Sequence, residues 1–201
     1  MSQLPWDAQL ARWLVAPFRD SPVTPNYFTS LRLATGIGAA ILFGTGEWNN
    51  TAACLFAVSM FFDHTDGELA RIAGKGTRFG HLYDLVSDFV VMIALFVGIG
   101  VGLSNGPLGS WAAVMGLLSG LAVATIFHFR NELENQHGKS VTKQPGFLGF
   151  ETEDVLYLLP LITYWDALQG FLLLSAIGTP VFAILIIHQY RIHLRKGAES
   201  L

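Results

Sequence analysis

FFDHTDGELARIAGKGTRFGHLYDLVSDFV, residues 61–90, sets Asp63, Asp66, Asp84 and Asp88 where two apolar segments meet. Asp63 and Asp66 are three residues apart, so on a helix they share a face, with Gly67 and Ala70 beside them. Asp84 and Asp88 are four apart and share a face of the next helix. AGKGTR (73–78) between them reads as a short loop, which makes the two helices antiparallel neighbours. The four carboxylates then converge on one region.

Unpaired, such a cluster is costly, because like charges repel and desolvation adds to the cost. Protons, a basic partner or metal ions must neutralise it, and Arg71 is placed to offset one carboxylate. Oxygen ligands in this number favour Mg²⁺ or Mn²⁺ over zinc. Two divalent ions would nearly balance four aspartates, and a two-metal site points to chemistry at phosphorus. Gly67, Ala70 and Gly80 leave the helix faces open beside the carboxylates. Gly36, Gly38, Gly98, Gly100 and Gly102 read instead as helix-packing positions.

The rest of the chain is membrane-like. It has 201 residues, 52% hydrophobic and 13% charged, against about 25% charged in an ordinary soluble domain. The single cysteine, Cys54, excludes an internal disulfide and a cysteine-built zinc site. Residues 6–19 place Trp6, Leu10, Trp13, Leu14 and Phe18 at helical spacing, as in a helix lying in the membrane interface. No basic region followed by an apolar stretch marks a cleaved signal peptide. Apolar runs at 27–43, 51–72, 80–103, 111–130, 152–168 and 171–193 approach or exceed the roughly 20 residues that cross a bilayer. The expected fold is therefore all-α and integral to the membrane. It has six transmembrane helices (23–195) preceded by an N-terminal interfacial amphipathic helix (1–22), in one domain spanning 1–201.

Charge sets the orientation. The turns at 44–50, 104–110 and 167–170 contain no lysine or arginine, and all twelve basic residues lie on the other side or within a few turns of it. The positive-inside rule makes that side cytoplasmic, with both termini and the aspartates there. A divalent-cation transporter also carries intramembrane acids, but it predicts carboxylates near mid-membrane on a path open to both sides.

Asp63-x2-Asp66-Gly67-x2-Ala70-Arg71-x8-Gly80-x3-Asp84-x3-Asp88 resembles the signature of the CDP-alcohol phosphotransferase family at every fixed position. TPNYFTSLR, leading into the first span, is similar to that family's lead-in segment. The resemblance implies that Asp63, Asp66, Asp84 and Asp88 hold two Mg²⁺ (or Mn²⁺) ions, with Asp88 also the general base on the acceptor hydroxyl. It implies a CDP-donor site made by Asn26, Thr29, Asp66, Gly67, Arg71, Thr77 and Gly80. It further implies a homodimer, no nucleic-acid partner, and a location in a bacterial-type inner membrane. The expected reaction moves a phosphatidyl group from CDP-diacylglycerol to a polar alcohol and releases CMP. Another acceptor (serine, inositol), or a CDP-head-group donor with a lipid alcohol, stays within the resemblance.

The acceptor is the open question. His128, Arg130, His137, Lys139 and Lys143 follow the fourth span and form one candidate site for an acceptor phosphate, such as that of glycerol 3-phosphate or inositol phosphate. Arg191 and Arg195 on the last span form another, Arg191 being closer to the membrane. Glu151, Glu153 and Asp154 open the fifth helix, where a helix dipole favours acids. Glu153 or Asp154 would otherwise bind acceptor hydroxyls or a head-group amine.

Overall fold

The structure, a computed structural model, describes residues 6–137 and 152–199. For 6–8, 131, 134–137, 152–154 and 193–199 it describes backbone only. Among the described residues all regular secondary structure is helical. Helix α1 (Trp6–Val15) runs into a 3-10 turn (Ala16–Phe18). Then come α2 (Pro25–Thr45), α3 (Asn49–Ala73), α4 (Arg78–Gly102) and α5 (Trp111–His137). A second 3-10 segment (Thr152–Leu158) leads into the short α6 (Leu159–Tyr164), and α7 (Leu168–Glu199) closes the chain.

Local chemistry places these boundaries. Thr24 is extended before Pro25, which opens α2 without needing the backbone N–H it lacks. Helices α2 and α3 both end on glycines in the left-handed region, Gly46 (φ 74°) and Gly74 (φ 63°), a backbone shape that favours a residue without Cβ. Thr77 caps α4, its Oγ1 accepting from the Gly80 N–H at 2.9 Å.

Helix α2 packs on α3 and α4, α4 on α5, and α5 on α7, while α1 and α6 lie against α3. Small residues let the backbones approach. A Cβ at Gly98 would lie 2.2 Å from the Ala40 carbonyl oxygen of α2, and one at Gly100 2.3 Å from that of Ala112 on α5. Phe43, Phe56, Leu95, Phe96, Ile99, Leu159 and Leu172 fill the core between them.

Helices α2 and α4, α5 through Arg130 and α7 through Ile192 are long and apolar enough to cross a membrane. Their outer faces carry Ile41, Leu174, Ile177 and Ile184, each more than 60% exposed. Trp13, Trp48 and Trp111 are exposed near helix ends, as interfacial anchors are. Two expected spans differ. Helix α3 is 25 residues long, but its C-terminal half carries Asp63, Asp66, Glu68 and Arg71. Within 152–168 the chain forms a 3-10 segment and six α-helical residues, with Pro160 in the first turn of α6. A proline there supplies no N–H to extend the ladder backwards.

Candidate metal and donor site

The aspartates lie in the loop-side half of the α3–α4 hairpin. One carboxylate oxygen each from Asp63, Asp66 and Asp84 falls within 4.8 Å of the others. Asp88, one turn beyond Asp84, stands outside that trio and meets it through Arg32. Asp66 is buried, whereas the side chains of Asp63, Asp84 and Asp88 are each about one-third exposed. The cluster therefore has a buried floor and an accessible rim. Among the described residues, Asp84 Oδ1 and Asp88 Oδ1 accept no hydrogen bond and contact only Arg32 as ion pairs. Buried acceptors in this state, beside a trio of carboxylates, suit a hard divalent cation.

Arg32 is the residue that sequence reasoning passed over. It is buried on α2, and Nη1 donates to Asp63 Oδ1 at 2.5 Å. The same nitrogen pairs with Asp88 Oδ1 and lies 3.7 Å from Asp84 Oδ1. The sequence signal was a lone arginine in an apolar helix, which needs a partner. Arg71, expected to offset an aspartate, pairs instead with Glu68. The two lie three apart on one helix, and Glu68 is buried where its charge needs a partner.

Of the expected donor residues, several converge. Thr29 Oγ1 donates to Asp66 Oδ2 at 2.6 Å, joining α2 to the buried floor of the cluster. A Cβ at Gly80 would lie 2.9 Å from Asn26 Oδ1 and 3.0 Å from Thr77 Oγ1, so these three residues adjoin one another at the α4 N-terminus. A Cβ at Gly67 would meet only Arg71 Nη2, at 4.0 Å, which leaves that face of α3 open. Lys75 Nζ, in the α3–α4 loop, donates to the carbonyls of Ser21 (2.5 Å), Val23 (3.0 Å) and Phe18 (3.4 Å). It thereby fixes the segment leading to Asn26.

The acceptor candidates divide. Ring contacts between Phe89 and His128 (5.8 Å) and between Phe129 and Tyr190 (5.0 Å) set the levels of α4, α5 and α7. Arg130, buried on α5, lies two residues beyond His128, and Arg191, exposed on α7, lies one beyond Tyr190. Lys139 and Lys143 lie outside the described residues, as do the side chains of His137, Glu153, Asp154 and Arg195. His64 Nδ1 lies 3.1 Å from the Met60 carbonyl oxygen and 3.4 Å from the Tyr157 hydroxyl.

A family model described as CDP-alcohol phosphatidyltransferase matches residues 22–182. The chain belongs to that family. It is 35% identical over 122 residues to a phosphatidylinositol phosphate synthase of Mycobacteroides abscessus, a match covering 59% of this chain and 50% of that protein. The chain thus spans about half the length of the curated relatives it matches. Its fold is similar to that of the Mycobacterium tuberculosis phosphatidylinositol phosphate synthase crystallised with CDP-DAG bound, with a TM-score of 0.66 at 22% identity. That match covers 92% of this chain and 93% of the other. The same enzyme with manganese and citrate gives a TM-score of 0.64 at 23% identity, over 92% and 88% of the two chains.

Proposed function

We propose that this membrane protein transfers a phosphatidyl group from CDP-diacylglycerol to a polar alcohol and releases CMP. The observation that carries this reading is the convergence of Asp63, Asp66 and Asp84 within 4.8 Å, in the loop-side half of an apolar hairpin. Asp63, Asp66, Asp84 and Asp88 would hold two Mg²⁺ (or Mn²⁺) ions, which when bound would offset charge on the diphosphate and on departing CMP.

The chain's own residues do the rest. Asn26, Thr29, Asp66, Gly67, Arg71, Thr77 and Gly80 would embrace the CDP group. Gly67 and Gly80 admit it close to the backbone, and the exposed guanidinium of Arg71 offers a charge-assisted bond. Asp88 takes the proton from the acceptor hydroxyl as its oxygen attacks the phosphatidyl phosphorus. A new O–P bond forms there, the O–P bond to CMP breaks, and its electron pair leaves with CMP.

The acceptor we favour is a phosphorylated polyol of the inositol phosphate type. The relatives' activity supports it, and Arg130 and Arg191, close in sequence to the ring contacts that join α5 to α4 and to α7, would offer two guanidinium groups to an acceptor phosphate. Lys139, Glu153 and Asp154 remain further candidates for acceptor contact. We place the site and both termini on the cytoplasmic side of a bacterial-type inner membrane, with α1 in the interface and a homodimeric assembly. Six crossings remain our reading of the single domain: α3, with 25 residues, spans about 37 Å at 1.5 Å per residue, and the 3-10 segment with α6 (Thr152–Tyr164) would make the remaining, shorter one.

CMP release by the purified protein with Mg²⁺ and CDP-diacylglycerol tests this. Inositol 1-phosphate, glycerol 3-phosphate, inositol and serine are supplied separately. Release with inositol 1-phosphate alone is expected. Release only with another alcohol would overturn the acceptor, and no release with any of them would count against the transfer.

A further inference from the structure

The four aspartates are not met evenly. Thr29 attends Asp66 at one edge of the cluster, and the Arg32 guanidinium sits at the other, between Asp63 and Asp88. Arg32 is held there by its helix. Its backbone carbonyl accepts from the buried Ser59 Oγ at 2.8 Å. One turn on, a Cβ at Gly36 would lie 2.6 Å from Val91 Cγ1 and 2.9 Å from Ser59 Oγ. Helix α2 is therefore pressed onto both α3 and α4 at this level, and the guanidinium can move only by rotating its own side chain. Its Nε is buried and has no acceptor among the described residues.

These contacts give the two edges different affinities for a cation. A divalent ion among Asp63, Asp66 and Asp84 uses three carboxylates, shares with the guanidinium only the Asp63 carboxylate that Arg32 bonds directly, and need not touch Asp88. A second ion at Asp88 must share or displace the guanidinium, a like charge held in a partly dehydrated place. A diphosphate brings negative charge that offsets the second ion and offers an acceptor to the unpaired Nε. Four carboxylates and one guanidinium sum to three negative charges, so one divalent ion leaves the cluster still negative, and two would make it positive.

We propose that Arg32 is a resident counter-ion at the Asp88 edge. The protein alone binds one divalent ion, and the second enters only together with the diphosphate of the donor. Arg32 is then a positioning residue that couples metal loading to donor arrival. This rests on the aspartates being a metal site, and the test separates the two ideas.

Mn²⁺ is titrated into the full chain in detergent, with free Mn²⁺ read by electron paramagnetic resonance, with and without CDP-diacylglycerol and with no acceptor present. Wild type should bind one ion per chain alone and two with CDP-diacylglycerol. Arg32→Met should bind two without the donor, the second tightened about tenfold or more by loss of the like charge. Arg32→Lys, which keeps the charge, should stay at one. In excess EDTA, Arg32→Met should melt below wild type and then gain a larger upward shift on adding Mn²⁺. Two equivalent ions in donor-free wild type would overturn the proposal, as would unchanged stoichiometry in Arg32→Met. If Arg32→Met does not fold, the wild-type stoichiometry with and without donor decides alone. No Mn²⁺ binding in either condition would overturn the metal site itself.

Discussion

Thr29 on α2 donates a 2.6 Å hydrogen bond to Asp66 on α3, two buried side chains 37 residues apart in the chain. The bond fixes which way the buried carboxylate faces. Hydrogen bonds to charged groups contribute about 1.5–3 kcal/mol. Thr29→Val should therefore weaken Mn²⁺ binding by roughly tenfold or more. Thr29→Ser should recover most of it, because the hydroxyl remains. Isothermal titration with Mn²⁺ checks both, and equal affinities for the Val and Ser variants would remove the bond from the argument.

Asp88 should separate binding from turnover. General-base catalysis is worth about 10²–10⁴-fold, so Asp88→Asn should lose at least that in kcat while its affinity for CDP-diacylglycerol changes only a few-fold. Asp66→Ala should instead lose both metal and donor binding. Full turnover in Asp88→Asn would sink the base assignment, and single-turnover CMP release measures it directly.

Two glycines on α4 should fail differently. At Gly80 the added methyl meets the end of the Asn26 side chain, which can turn aside, and Thr77 Oγ1, which need give only a few tenths of an ångström and so can keep its cap on α4. Gly80→Ala should raise KM for CDP-diacylglycerol and leave the melting temperature close to wild type. At Gly98 the methyl meets the Ala40 backbone, which can yield only if α2 and α4 part. Gly98→Ala should cost about 1–3 kcal/mol of stability, seen as a lower melting temperature in detergent. A melting drop at Gly80 as large as at Gly98 would contradict the contrast.

Metal removal gives a fourth prediction. EDTA should abolish CMP release, and Mg²⁺ or Mn²⁺ in excess should restore it, because oxygen-only sites favour these ions. Activity persisting through exhaustive chelation would exclude a metal role for the aspartate cluster.

Much of the architecture was legible because apolar runs and their breakers are local. Pro25, Gly46, Gly74 and Thr77 mark the ends of α2, α3 and the start of α4 within a few residues of where hydropathy changes. The spacing of Asp63, Asp66, Asp84 and Asp88 gave their two shared faces for the same reason. Arg32 was not legible in this way, since the first partner of its guanidinium lies 31 residues on and nothing near it in sequence forecasts the contact. Arg71 misled because nearness in the chain to four aspartates says less than the i, i+3 reach to Glu68. The 152–168 run was apolar enough for a span, but its backbone turns 3-10 before Pro160, and apolarity alone does not set helix type.

Lys75 gives the assembly of this protein a temporal order. Its three acceptor carbonyls, on Phe18, Ser21 and Val23, leave the ribosome 52 to 57 residues before it does. At roughly 5–20 residues per second that interval is about 3–11 s. Until the α3–α4 turn emerges, those carbonyls lack the ammonium group that gathers them. The segment leading to Asn26 is thus tied down only after the hairpin bearing the aspartates has begun to form.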